Sequence, residues 1–317
     1  MRRRFSAKGG WRAALSGRAT LIAFFLFVLA AGSNPIAVRF SNFELPPFLG
    51  AASRFGAAAL IFWIVVLGRR ISVPTGRALA ATVLYGVISV GASYAFLYWA
   101  LVRIQPGLAS VFLATVPLLT LFLAAAHRLE ALSWRKLTGA LVAVGGIVLI
   151  VDGGLGGIVD VPALLAMAAG AACLAEGGVV FKLLPQADAV ATNAVATSTG
   201  AVLLAGLSLL AGEEWSLPAS ASTWAAFGYL VVVGSVVVFY LYLFVLARWP
   251  ASTTAYGLVL LPVVSVAVSA WLTGEVVTAS FAVGAAVVLA GVWVGAISGA
   301  SRAIVSEPAA MAECVRC

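Results

Sequence analysis

Apolar residues run along this chain in long unbroken stretches rather than in alternation. The stretches cover residues 19–38, 47–68, 78–100, 105–126, 135–152, 161–182, 189–211, 222–246, 251–272 and 278–298. Each is long enough to cross a hydrocarbon core of ~30 Å at ~1.5 Å per residue. Strands survive in lipid only as a closed barrel, and these runs are continuous, so the pattern predicts helices. The expected fold is an all-α integral membrane protein with ten transmembrane helices.

Composition agrees. Hydrophobic residues make up 63% of the 317 and charged residues 9%, against about 25% charged in a soluble domain. Mean hydropathy is +1.12, so most of the surface must face lipid. The net charge of +8 does not imply nucleic acid, because the basic residues sit at the ends of apolar runs and not on one face. Arg2, Arg3, Arg4, Lys8, Arg12 and Arg18 precede the first run. That run is too long for a signal-peptide core and is read as a retained span.

Lys and Arg also set the orientation. With a cytoplasmic N-terminus, the cytoplasmic segments hold those six plus Arg69, Arg70, Arg77, Arg128, Arg135, Lys136, Lys182, Arg248, Arg302 and Arg316, or 16 of 19. The outer loops hold Arg39 and Arg103, while Arg54 lies inside a span. Glu44, Asp152, Asp160, Glu213, Glu214 and Glu275 fall outside. This asymmetry predicts a multi-pass protein of the plasma or inner membrane with both termini cytoplasmic.

A shift of 145 residues lays the chain on itself. Leu101 meets Leu246, Arg103 meets Arg248, Pro117 meets Pro262, Glu130 meets Glu275, Gly139 meets Gly284 and Gly146 meets Gly291. The shift maps spans four and five onto nine and ten. Five is odd, so the second copy enters the membrane upside down. Arg128, Arg135 and Lys136 become Thr273, Ser280 and Phe281 in the copy whose loop faces outward. The expected architecture is two inverted-topology five-helix repeats, residues 19–152 and 161–298, flanked by a basic segment 1–18 and a tail 299–317. Inverted repeats enclosing a midplane site are a mark of secondary transporters.

The stretch Gly107-Leu-Ala-Ser-Val-Phe-Leu-Ala-Thr-Val-Pro117, then Glu130 and Gly139 to Gly146, resembles the EamA domain of the drug/metabolite transporter superfamily. Gly32-Ser33-Asn34 and Arg54-Phe55 fit the same pattern, and Pro262, Glu275, Gly284 and Gly291 repeat it. The resemblance implies ten helices and export or exchange of metabolites such as amino acids. Other solutes, including sugars and nucleotide sugars, are handled by some members. The sequence departs from the family at Ala31, where an aromatic is usual, and at Glu176-Gly177-Gly178.

Arg54 and Glu176 are the intramembrane charges. A charge at a helix centre costs ~2.5–3.5 kcal/mol on insertion scales, so both are candidate substrate or coupling residues. Glu176, among Ala, Gly and Val, is read as a lone carboxylate suited to carry a proton or to face a cationic group. Arg54 is weighed equally as a cap on carbonyls of a neighbouring helix. The two together would suit a zwitterion. Asn34, beside Pro35, and Tyr94, Tyr98, Tyr240 and Tyr256 are candidate cavity residues, and Pro117 and Pro262 are candidate paired kinks. Glu130 and Glu275 are read as helix-start residues favoured by the dipole. Gly139, Gly145, Gly146, Gly284 and Gly291 are read as close-contact positions. His127 is read as solvated, Cys173 as buried, and Cys314/Cys317 as a reduced tail.

No P-loop, metal cluster or catalytic Ser-His-Asp set is present, so no cofactor and no enzymatic activity are expected. The expected partners are a small-molecule substrate and membrane lipid, with proton coupling and a homodimer left open. The leading expectation is a secondary transporter. A flippase for lipid-linked sugars and a membrane-embedded enzyme are the alternatives.

Overall fold

The computed structural model describes residues 7–41, 44–103, 112–151, 160–183, 188–273 and 279–297. Gly107, Asp152, Glu275 and the Cys314/Cys317 tail lie outside the described residues. Among the described residues the regular structure is entirely helical. Helix α1 is Ala7–Ser41 and α2 is Pro47–Gly68. Helix α3 comprises Gly76–Tyr85, a π-helical turn at Gly86–Ala92, and Ser93–Leu101. Then come α4 (Val116–Ala126), α5 (Trp134–Val151), α6 (Val161–Leu183) and α7 (Ala189–Leu210). Helix α8 comprises Ala221–Val231, a second π turn at Val232–Val237, and Val238–Leu246. Helix α9 is Ala251–Thr273, and α10 is Ala279–Val292 with a closing π turn at Trp293–Ile297.

These helices fall on the apolar runs. The first differs at its start: α1 begins at Ala7, so much of the basic segment before Ala19 is already helical. Among the described residues six helices are long and apolar enough to cross a membrane, and Phe112–Ala126, Ala251–Ser265 and Ala282–Gly295 are shorter apolar helical stretches. Helix α2 shows why both faces are apolar. Phe55, Ala58, Ala59, Phe62 and Val66 are buried against the protein, whereas Leu60, Ile64 and Leu67 are exposed. The second stripe faces outward, where lipid is the only solvent that does not penalise it.

The halves meet through an isologous interface, in which residue i touches the counterpart of j and j touches the counterpart of i. On α5 and α10, a Cβ at Gly139 would lie 2.8 Å from the Gly291 carbonyl oxygen, and one at Gly146 would lie 2.8 Å from that of Gly284. These are the 145-residue partners exchanged crosswise. Likewise Gly146 abuts the Val288 amide and Gly291 the Ala143 amide, each at 2.7 or 2.6 Å from the added carbon. On α2 and α7, Gly56 faces Ala201, its own counterpart. Tyr94 and Phe239, also counterparts, have ring centroids 6.3 Å apart. A residue that meets its own counterpart lies on the two-fold axis. Gly145 has nothing within 4 Å of an added carbon and takes no part in this contact, contrary to expectation.

Other features obey the same shift. The π turns of α3 and α8 occupy equivalent places. Arg103 and Arg248 each donate to the carbonyl four residues back, Trp99 and Phe244, at 2.7 and 2.8 Å. Each guanidinium lies over that residue's ring, at 3.9 and 3.5 Å from the centroid. A cation there satisfies a terminal carbonyl and the negative helix end, which explains why Arg103 persists in a loop expected to be poor in cations. The prolines differ. Pro262 is inside α9, whereas Pro117 stands two residues after a one-residue break at Thr115 within the helical stretch Phe112–Ala126.

Three carboxylates cap helices other than their own. Glu213, after α7, accepts from the Phe48 and Leu49 amides of α2 at 3.0 and 2.8 Å. Glu44 accepts from the Ser220 amide before α8 at 3.2 Å. Glu130 accepts from the Ser252 amide of α9 at 3.2 Å and from Lys136 Nζ at 2.6 Å. Lys136 also donates to Ser252 Oγ at 2.9 Å, and the Tyr256 hydroxyl donates to the Lys136 carbonyl. Glu130 therefore serves the start of α9, in the other half, and not the start of α5.

Two measurements test this frame. Gly146→Ala is expected to lower the melting temperature of the detergent-purified protein, because the added methyl meets backbone and over-packing costs about 1–3 kcal/mol. Gly145→Ala is expected to leave it unchanged. Equal shifts would remove the case for the α5–α10 contact. For Glu130, burial pushes its carboxyl up, but the Lys136 and Ser252 hydrogen bonds and the Lys136 charge outweigh it and hold it below the ordinary value. A depressed carboxyl contributes stability above its unfolded pKa of ~4.3, and that stability fades as pH falls through the folded value. Wild type should therefore exceed Glu130→Gln in melting temperature at neutral pH and converge with it in acid. Parallel curves from pH 7 to 3 would rule the linkage out.

Candidate functional site

A π turn takes one residue more than an α turn and takes backbone groups out of the regular ladder. In hydrocarbon those groups need partners from elsewhere in the protein. The Gly234 carbonyl, in the α8 π turn, accepts from Arg54 Nη2 at 2.7 Å and from Asn34 Nδ2 at 3.3 Å. Arg54 Nε donates to Ser235 Oγ at 2.7 Å. A Cβ at position 234 would sit 2.6 Å from Asn34 Oδ1 and 3.2 Å from Arg54 Nη2. Glycine is thus required for the socket. Arg54 is only 3% exposed.

The socket leaves two polar groups unmatched. Asn34 Oδ1 is buried without a partner. Arg54 Nη1 has no protein hydrogen bond among the described residues. Aromatic rings lie beside them. Phe55 meets Tyr94 edge-on at 4.7 Å and stacks with Phe239 at 5.5 Å. Tyr94 in turn approaches Tyr98 at 6.2 Å. The guanidinium carbon of Arg54 is 5.2 Å from the Phe55 ring centre. Arg54, Asn34, Tyr94 and Tyr98 therefore converge where α1, α2, α3 and α8 meet.

The remaining candidates lie elsewhere. Glu176 is not a lone carboxylate: its Oε1 is 3.1 Å from His127 Nε2, and its Oε2 is buried without a partner. His127, expected to be solvated, follows the last residue of α4 and reaches across to α6. Arg54 and Glu176 thus have different partners and do not form a pair. Tyr256 is 1% exposed and packs against Gly295, where a Cβ would collide with its ring. It is a packing residue and not part of the aromatic cluster. Tyr240 is 39% exposed, touches Phe244, and lines a cavity with Arg69, Lys182 and Arg248. Cys173 is half-buried.

Sequence reasoning missed Gly234, Ser235, Phe239 and His127. The trace of the first two is a Gly-Ser pair in a run of valines, Val231-Val-Val-Gly-Ser-Val-Val-Val238. His127 left no trace, because its partner is 49 positions away on another helix. Among the described residues no cation bonds to the equivalent π turn of α3. A Cβ at Gly177 would lie 2.5 Å from Ser89 Cβ, and one at Gly200 would lie 2.4 Å from Val90 Cγ1. That turn is sealed by close packing.

Comparison with known proteins places this geometry in context. The profile of the EamA-like transporter family matches residues 18–152 and again 161–296. The uncharacterized inner membrane transporter YedA of Escherichia coli K12 is 30% identical over 258 residues, covering 80% of this chain and 82% of YedA. An uncharacterized transporter of Archaeoglobus fulgidus is 26% identical over 81% of the chain and 91% of its own length. A probable terminal-alkyne amino-acid exporter of Streptantibioticus cattleyicolor is 28% identical over 69% of the chain and 73% of its own. One crystal structure shares the fold, with a TM-score of 0.74 over 87% of this chain and 96% of that one at 21% identity. With the family pattern matched twice across most of its length, the chain belongs to the EamA-like transporter family, as a multi-pass membrane transporter.

Proposed function

We propose that this chain is a secondary transporter that exports or exchanges small zwitterionic metabolites, amino acids among them, by alternating access between its two halves. The observation that carries the reading is the socket on the α8 π turn. It offers one free acceptor, Asn34 Oδ1, and one free donor, Arg54 Nη1, beside an aromatic wall. An ammonium group would donate to the first and a carboxylate would accept from the second. The name carried by the Streptantibioticus relative, an amino-acid exporter, supports the same substrate class.

Alternating access needs two structures of equal worth related by symmetry. The isologous contacts supply the symmetry, and the equivalent π turns of α3 and α8 supply the joints. Helix irregularities of this kind recur at functional sites. The Lys and Arg distribution supports cytoplasmic termini and an inner-membrane location. The Glu176–His127 contact, which ties α6 to α4 at 3.1 Å, is the proposed coupling site. The chain acts on no bond of its substrate in this reading.

Reconstitution in liposomes tests it. Wild type is expected to move at least one labelled amino acid faster than protein-free vesicles, and faster with a pH gradient than without. Asn34→Leu should raise the half-saturation concentration about tenfold, the worth of one hydrogen bond to a charged group. Glu176→Gln should transport at similar affinity but lose its response to the gradient. If no amino acid exceeds the leak, the substrate class is wrong. If Asn34→Leu transports with unchanged affinity, the socket is not the binding site.

A further inference from the structure

We propose that the cavity between the ends of α2, α6, α7 and α8 is a binding site for a phosphate group, separate from the socket on the π turn. The cavity has a volume of about 360 Å³, roughly twelve times the ~30 Å³ a water occupies in the liquid. Arg69, Lys182 and Arg248 line it together with Asp188, Thr192 and Tyr240. Three cationic side chains thus face one carboxylate. Among the described residues none of the three cations has a carboxylate at ion-pair distance.

Among the described residues Asp188 makes no ion pair with them and its Oδ1 serves the α7 start, so the lining carries three positive charges against one negative. That oxygen accepts from the Val190 amide at 2.7 Å and from the Ala191 amide at 3.4 Å. Arg248 spends one nitrogen on the Phe244 carbonyl and retains the rest of its fork. A guanidinium fork and an ammonium suit a tetrahedral oxyanion, with the first binding two oxygens at once and the second acting as a point charge.

Thr192 is an independent sign that something polar belongs there. It is 1% exposed, and its hydroxyl has no hydrogen-bond partner among the described residues. Further along the same helix, Thr197, Ser198 and Thr199 return their hydroxyls to carbonyls four residues back, at 2.6, 2.7 and 2.9 Å. Thr192 does not. A buried hydroxyl left unpaired costs about 1–3 kcal/mol, and an oxyanion oxygen in the cavity would remove that cost. Tyr240, half in and half out of the protein, adds a second hydroxyl on the rim.

Two sources present this chemistry, the headgroup of an anionic phospholipid and a soluble phosphate. Basic pockets between membrane helices hold lipid headgroups in other proteins. The proposal concerns binding and not flux, so it stands or falls separately from the transport reading.

The test uses the full-length protein purified in neutral detergent. Native mass spectrometry would count retained phosphatidylglycerol against phosphatidylcholine, and calorimetry would follow inorganic phosphate. Wild type is expected to retain phosphatidylglycerol or to bind phosphate, whichever source is the true one. Arg69→Gln and Lys182→Gln should each weaken that binding about tenfold, the worth of one charge-assisted hydrogen bond. Thr192→Val should weaken it several-fold without changing the net charge. Arg77→Gln, a basic residue that does not line the cavity, should have no effect. Retained phosphatidylglycerol with no heat from phosphate identifies a lipid site, and the reverse identifies a soluble ligand. If neither binds, or if Arg77→Gln weakens binding as much as Arg69→Gln does, the proposal is overturned.

Discussion

Hydrocarbon offers no hydrogen bonds, so every amide and carbonyl inside it must be paired within the protein. In a straight α-helix the backbone does this alone. Where a helix departs from α geometry, other residues must come to it, and their identity then decides what the place can do. Two such departures sit at equivalent points of α3 and α8. One is closed by glycines that bring backbones together. The other is met by Arg54 and Asn34. The same backbone requirement is answered in two ways, by close packing at one turn and by polar side chains at the other.

This explains how a symmetric frame carries an asymmetric site. The counterparts of Arg54 and Asn34 are Thr199 and Val179, and those of Gly234 and Ser235 are Ser89 and Val90. Duplicated positions that kept their identity include Gly139/Gly284, Gly146/Gly291, Pro117/Pro262 and Arg103/Arg248. Three of those pairs hold helices together or finish their ends. The residues that satisfy the two π turns did not keep theirs. Glu176 follows the rule, since its counterpart is Ala31, and only the second half contributes a carboxylate to His127.

The sequence made the frame legible and the site only partly so. Hydropathy locates helices because lipid forces long apolar runs. The 145-residue shift locates the two-fold partners because Gly-to-backbone contacts tolerate no other residue. Arg54 stood out because a buried charge is costly, but its partner is a carbonyl, and a carbonyl is the same in every residue. The π turns were illegible for a related reason: one extra residue per turn changes the hydrogen-bond ladder and leaves the hydropathy untouched. Tyr256 misled because an aromatic in a span reads alike whether it lines a cavity or fills a notch over Gly295. Thr192 went unnoticed among the other hydroxyls of α7, since only coordinates distinguish a satisfied threonine from an unsatisfied one.

Helix α8 ties these places together. Its π turn holds Arg54 through Gly234 and Ser235. Phe239, two residues past that turn, stacks on Phe55. One turn further, Tyr240, Leu243, Phe244 and Arg248 line the basic cavity. Val238–Leu246 is an unbroken α-helix, and such a segment moves as a unit while a π turn is the weaker joint. A rotation at Val232–Val237 would therefore carry Phe239, Tyr240 and Phe244 together. The central socket is built on the π turn of α8 and the basic cavity on the helical segment that follows it, so one helix carries both.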